Sequence, residues 1–157
     1  MLHQELLEHF YHCFKYKKID DMLACYHDEI EFTDPAFGTL KGEQVKSMWR
    51  MLLERNTSLT LDYHNISADA LKGSAHWTAN YVFTKTNRPV TNKVTGHFEF
   101  KDGKIVRHVD SFDLHVWARQ ALGYKSSILK TFGLLEISIQ RKSKQALNEY
   151  MEKHKTV

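Results

Sequence analysis

Glu31-Phe32-Thr33-Asp34-Pro35-Ala36-Phe37-Gly38 and Gly96-His97-Phe98-Glu99-Phe100-Lys101-Asp102-Gly103-Lys104-Ile105-Val106-Arg107-His108-Val109-Asp110 decide the fold of this chain. In the first, Ile30 and Phe32 alternate with polar neighbours as a short strand. Pro35 cannot donate to a ladder, so the strand stops at the carboxylate of Asp34. In the second, Lys101-Asp102-Gly103 forms a tight hairpin turn with glycine where a positive φ is expected. The return strand then carries Val106, His108, Asp110 and Phe112 on one face, because strand side chains alternate.

Working outward, Leu2, Leu6, Leu7, Phe10 and Phe14 recur at helical spacing, so residues 2–16 read as an amphipathic helix. Asp20 or Asp21 caps a short second helix through Cys25 that buries Met22, Leu23 and Tyr26. Gly38 and Gly42 punctuate a loop, and Glu43 to Arg55 form a third helix with Val45, Met48, Trp49 and Leu52 inward. Strands follow over Leu59–Ala68, Leu71–Thr84, Val90–Phe100 and Ile105–Leu114. Helices followed by a meander of long strands predict an α+β domain, a curved antiparallel β-sheet wrapped around the N-terminal helices. Val116 to Leu122 read as a further helical turn or two, stopped by Gly123. Ile128, Phe132, Leu135, Ile139, Ala146 and Tyr150 then share one helical stripe. It packs on the body, pairs with a partner, or lies on a membrane surface with Lys and Arg outward. We expect residues 1–123 to form this body and residues 124–157 a helical extension packed on the same domain.

The composition fits an ordinary globular protein of one domain: 157 residues, 42% hydrophobic, 12% aromatic and 26% charged. The net charge of +3 belongs to the tail, where residues from Tyr124 onward hold seven Lys/Arg against three Asp/Glu. The body is close to neutral, which argues against a nucleic-acid surface. No apolar run spans a bilayer and no targeting segment is visible, so the default expectation is cytoplasmic. Cys13 and Cys25 read as small core hydrophobes rather than a redox pair.

Chemistry is expected where these segments meet. On the strand Leu71–Thr84, Trp77, Ala79, Tyr81 and Phe83 share a face; either they fill the core or they line a concave, ligand-facing side. Val94, Gly96, Phe98 and Phe100 share the next, with Gly96 leaving room for a close approach. A His and an Asp on an apolar face need partners, so His108 and Asp110 are either a structural pair or part of a site with Asp34. A carboxylate in an apolar pocket has its pKa raised toward the range useful for acid–base work. Asp34 then abstracts a proton or activates a water, Asp110 orients His108, and Tyr26, Tyr81 or His108 donates to an oxyanion. We expect Tyr26, Trp49, Trp77, Tyr81, Phe98 and Phe112 to contact a small hydrophobic ligand. No His pair has an evident third ligand, and assembling His108, Asp110 and His115 would force strand geometry, so neither a metal nor a cofactor is expected. No phosphate loop or nucleophile elbow is present.

The order helix, helix, strand ending in Asp-Pro, helix and four-strand meander resembles the nuclear transport factor 2-like superfamily, whose α+β fold is cone-shaped and whose members include ketosteroid isomerase, limonene epoxide hydrolase, scytalone dehydratase and SnoaL-like polyketide cyclases. His76-Trp77-Thr78-Ala79-Asn80-Tyr81-Val82-Phe83, Phe98-Glu99-Phe100-Lys101-Asp102-Gly103-Lys104-Ile105, Arg107-His108-Val109-Asp110-Ser111-Phe112-Asp113-Leu114 and Trp117-Ala118-Arg119-Gln120-Ala121-Leu122-Gly123 look like a SnoaL-like subgroup. The resemblance places Asp34 where ketosteroid isomerase has its general base, and Asp110 near the acid/base aspartate of SnoaL-like cyclases. The isomerase's oxyanion tyrosine and aspartic acid fall on Phe10 and Gly96, so steroid isomerisation is not implied. What is implied is a homodimer with a central cavity, performing isomerisation, cyclisation, dehydration or hydrolysis, or else a non-catalytic ligand-binding or scaffold module.

Overall fold

The computed structural model describes residues 2–123 and 134–155. Helix α1 (His3–Lys15) and the short α2 (Ile19–Leu23) lead into strand β1 (Tyr26–Asp34) and edge strand β2 (Gly38–Lys41). Helix α3 (Glu43–Arg55) follows, then β3 (Thr60–Ala68), β4 (Lys72–Phe83), β5 (Arg88–Lys101) and β6 (Lys104–Ser111). Helices α4 (Leu114–Leu122) and α5 (Leu135–Lys153) complete the described chain. The six strands form one sheet in the order β2-β1-β6-β5-β4-β3. All neighbours are antiparallel except β1 and β6, which run parallel, so the meander closes back on the first strand rather than forming a purely antiparallel sheet.

Most elements lie where periodicity places them, and three depart from it. The second helix stops at Leu23 rather than Cys25, and Tyr26 opens β1. The Cys25 carbonyl accepts from Ile105 N at 2.9 Å, so pairing with β6 begins as soon as α2 stops at Leu23. The stretch expected as a loop between Gly38 and Gly42 pairs with β1 as β2, with Phe32 opposite Leu40 and Asp34 opposite Gly38. A bulge near the start of β6 sets Phe100 opposite Ile105 but Glu99 opposite Arg107. Ile105 therefore takes the buried place that strict alternation gives Val106, while His108 and Asp110 keep their inward face.

The concave face buries Ala75, Trp77, Ala79, Val94 and Phe98 against Leu7, Phe10, Tyr11 and Phe14 of α1. Helix α3 closes another side through Val45, Met48, Trp49 and Met51. Leu52, expected inward, is half-buried because it faces the cavity described below. Helix α5 packs along α3 and sends Leu147 and Tyr150 into the main core, with the Tyr150 hydroxyl donating to Glu54 at 3.0 Å. Its first turn joins α4 in a second cluster of Leu114, Ala118, Leu135 and Ile139. Ile128 and Phe132, the start of the expected stripe, lie outside the described residues. Among the described residues no helix is long and apolar enough to cross a membrane.

Candidate active site

Asp34 ends β1 at a turn it closes itself. Its Oδ1 accepts from Ala36 N at 2.9 Å and Phe37 N at 2.6 Å, the local hydrogen bonding by which aspartate stabilises a turn at a proline. Oδ2 has no protein partner among the described residues, and Asp34 lines a cavity of about 370 Å³. That volume lies within the range of small-molecule sites, roughly 300–1,000 Å³. Protein surrounds the carboxyl, although the cavity leaves it some access to solvent. Burial raises its pKa to about 7, against the opposing pull of the Phe37 and Ala36 amides, and the negative charge of Asp110 adds to the rise.

Asp110, on β6, lines the same cavity and is 3% exposed. Its Oδ1 accepts from Trp77 Nε1 at 3.4 Å and faces His108 Nε2 at 2.9 Å. Its Oδ2 is buried without a partner among the described residues. Behind it runs a relay whose polarity can be worked out. Trp49 Nε1 can only donate, and it donates to the Tyr26 hydroxyl at 2.9 Å. The Tyr26 hydrogen is then directed at His108 Nδ1, 2.8 Å away, which leaves the Nε2–H of His108 to donate to Asp110. Phe98, Phe10 and Phe32 enclose the imidazole, which is 1% exposed.

The expected site residues thus divide into two groups. Asp34, Asp110, Trp49, Trp77, Tyr81 and Phe112 line the cavity. His108, Tyr26 and Phe98 stand behind its wall, and the hydrogen bond between His108 and Asp110 holds the imidazole and the carboxylate in place together. Tyr26 and His108 are engaged with each other, which leaves Tyr81 as the cavity-facing hydroxyl among the expected donors. The Tyr81 oxygen accepts from Trp117 Nε1 at 2.6 Å, freeing its own proton for a ligand. Burial, against the pull of Trp117, holds the phenol above its ordinary value, so Tyr81 remains a donor at neutral pH.

Tyr11 was not among the residues expected at the site. Its hydroxyl is buried and has no partner among the described residues, beside the space that Gly96 leaves empty. A Cβ at position 96 would stand 2.9 Å from Tyr11 Oη and 3.1 Å from Asp110 Oδ1. The glycine is what lets a phenol and a carboxylate approach from opposite sides of β5. Burial, augmented by the charge of Asp110, pushes the Tyr11 phenol well above its ordinary pKa. Trp117 also went unassigned, because its partner Tyr81 lies on a distant strand.

Comparisons with known proteins agree with this architecture. The profile of the SnoaL-like domain matches residues 7–108. A crystal structure of an NTF2-like protein of unknown function from Burkholderia pseudomallei shares 18% identity with a TM-score of 0.67, over 75% of this chain and 95% of that one. A putative polyketide cyclase from Pseudomonas putida shares 17% identity with a TM-score of 0.65, over 77% of this chain and 98% of that one. An epoxide hydrolase of the LEH-like type from Mycobacterium tuberculosis shares 19% identity with a TM-score of 0.62, over 84% and 98% respectively. No protein of curated function matches the sequence. At these identities the structures establish a shared fold, and the match across most of the cone establishes the family: the chain belongs to the SnoaL-like family, with the NTF2-like fold.

Proposed function

We propose that this protein is an acid–base enzyme acting on a small hydrophobic molecule held in the cone. The observation that carries the reading is the pair Asp34 and Asp110. Each carboxyl has one oxygen anchored by N–H donors and the other, Oδ2, without a protein partner among the described residues. Anchoring fixes the geometry, and the free oxygens are left for the ligand. The relay behind Asp110 adds rigidity, because His108 cannot rotate without breaking its contacts to Tyr26 and Asp110 together.

Each group has a role that follows from its surroundings. Asp34, poised near neutrality, gives up or takes up a proton at working pH, as an efficient general acid or base must. Asp110 presents the second carboxyl oxygen, and its proximity keeps the Asp34 proton from leaving early. Tyr81 donates to a carbonyl or epoxide oxygen as charge develops there. Proton abstraction next to a carbonyl, with return at another carbon, gives isomerisation or cyclisation. Protonation of an epoxide oxygen with activation of water gives hydrolysis. The structural neighbours named as a putative polyketide cyclase and an epoxide hydrolase support these two classes.

The test is turnover of a panel of hydrophobic ketones and epoxides by wild type, Asp34→Asn and Asp110→Asn. Loss of a general acid or base should lower kcat by roughly 10²–10⁴-fold. Turnover that survives in the double variant refutes the assignment. Ligand binding without turnover in wild type identifies a binding module instead.

A further inference from the structure

The charged residues of the cavity are segregated by sign. Among the described residues its only lining acids are Asp34 and Asp110, at the buried end, among Trp49, Trp77 and Phe112. At the solvent end the charged lining residues are Arg55, Lys85 and Lys142, all exposed. They come from three separate elements: the end of α3, the β4–β5 turn and the middle of α5. None of the three makes an ion pair among the described residues. Glu54, the neighbour of Arg55, is turned away to the Tyr150 hydroxyl. Between the two ends the wall is apolar, with Leu52, Leu53, Ala79, Phe83 and Ile139.

We infer that the ligand is an amphipathic organic anion: a ring-sized apolar body carrying a carboxylate or a similarly charged group that stays at the cationic mouth. This specifies the substrate class and rests on the reading of the cavity as a ligand site. Three cations on the lining with no ion-pair partner among the described residues raise the local concentration of anions and favour one end of the molecule entering first. The apolar end then meets the tryptophans, and the reacting carbon lies nearest the two aspartates. A molecule entering anion first is opposed by Asp110 and by an ionised Asp34. The mouth therefore confers orientation as well as affinity.

A matched pair of fluorescent probes separates charge from apolar fit: anilinonaphthalene sulfonate, and phenylnaphthylamine, the same ring body without the sulfonate. Wild type is expected to bind the sulfonate more tightly. The triple variant Arg55→Gln, Lys85→Gln, Lys142→Gln should lose roughly five- to tenfold in sulfonate affinity, as fits three partly screened charges. Affinity for the neutral probe should stay within about twofold, since it lacks the interaction these cations make. Ala146→Trp, on the half-buried wall of α5, should exclude both probes, and Ser143→Trp serves if that change unfolds the helix. Equal binding of the two probes, with no effect of the triple variant, overturns the charge inference and leaves the cavity reading standing. Binding of neither probe to wild type overturns both. Sulfonate binding that survives both tryptophan variants lies outside the cavity and also overturns the inference.

Discussion

Asp34→Asn isolates the ionisation on which the proposed chemistry depends. Asparagine keeps an Oδ1 to accept from Ala36 and Phe37, so the turn is retained while the titration is removed. In the folded protein Asp34 has its pKa raised from 3.8 to about 7. Below the unfolded value both states hold the proton and nothing is lost. As pH climbs, the unfolded chain ionises first, and stability declines until the folded carboxyl ionises too. A shift of about three units at 1.36 kcal/mol per unit sets a ceiling of about 4 kcal/mol. Of this, roughly 2–3 kcal/mol falls between about pH 5 and about pH 8. Water reaching the carboxyl through the cavity trims the effect to about 1.5–2.5 kcal/mol. Urea unfolding of both proteins at the two pH values measures it, because titrating groups that do not interact with Asp34 cancel in the double difference. Asp34→Asn should be the more stable at the higher pH, with the gap closing as pH falls. Parallel stability profiles over this range would refute the claim that burial and Asp110 hold the proton on Asp34.

Three further predictions concern the supports of the site. His108→Phe leaves the Tyr26 hydroxyl and Asp110 Oδ1 without their shared partner, and should cost about 3–5 kcal/mol in chemical denaturation. A double-mutant cycle with Tyr26→Phe should show a smaller combined loss than the two singles added; strict additivity would show that the relay does not act as a unit. Gly96→Ala sets a Cβ 2.9 Å from Tyr11 Oη, so it should destabilise by about 1–3 kcal/mol, and Tyr11→Phe in the same chain should recover part of the loss. Leu147→Ala, deep between α5 and α3, should lower the stability of the whole domain by about 2–5 kcal/mol in a single cooperative transition, and a separate transition for α5 would contradict its place in the core.

The elements legible in the sequence are those with strong periodicity and clear punctuation. Glu43 to Arg55 reads as a helix because Gly42 and Asn56 bound an unbroken apolar stripe. The Asp102-Gly103 turn reads as a hairpin because both residues adopt a positive φ, at 52° and 74°. Features set by long-range pairing were hidden. The short edge strand Gly38–Lys41 carries too few residues for alternation to show, and only pairing with β1 defines it. The bulge at Val106 moves Ile105 inward, and nothing local announces an extra residue. For the site, spacing placed His108 and Asp110 on one face but left open which of them meets the cavity. That depends on where the floor lies, and Phe98 and Phe10 set it. Tyr11 was unreadable for a related reason: a helical position turned away from its neighbour still faces inward when a sheet curves around both sides.

The parallel pairing of β1 with β6 bears on how the protein is made. Tyr26 pairs with Ile105 and Thr33 with Val109, so the strand carrying Asp34 remains half-paired until almost the entire cone has been synthesised. At about 5–20 residues per second the ribosome takes roughly several seconds to deliver β6 after β1. For that interval β1 has only the short β2 beside it, and an isolated two-stranded hairpin is marginal in water. The long β4–β5 hairpin can form locally in the meantime, whereas the seam that unites the two aspartates closes last. Its closure carries the loop entropy of nearly the whole domain, which places the meeting of Asp34 and Asp110 among the late events of folding.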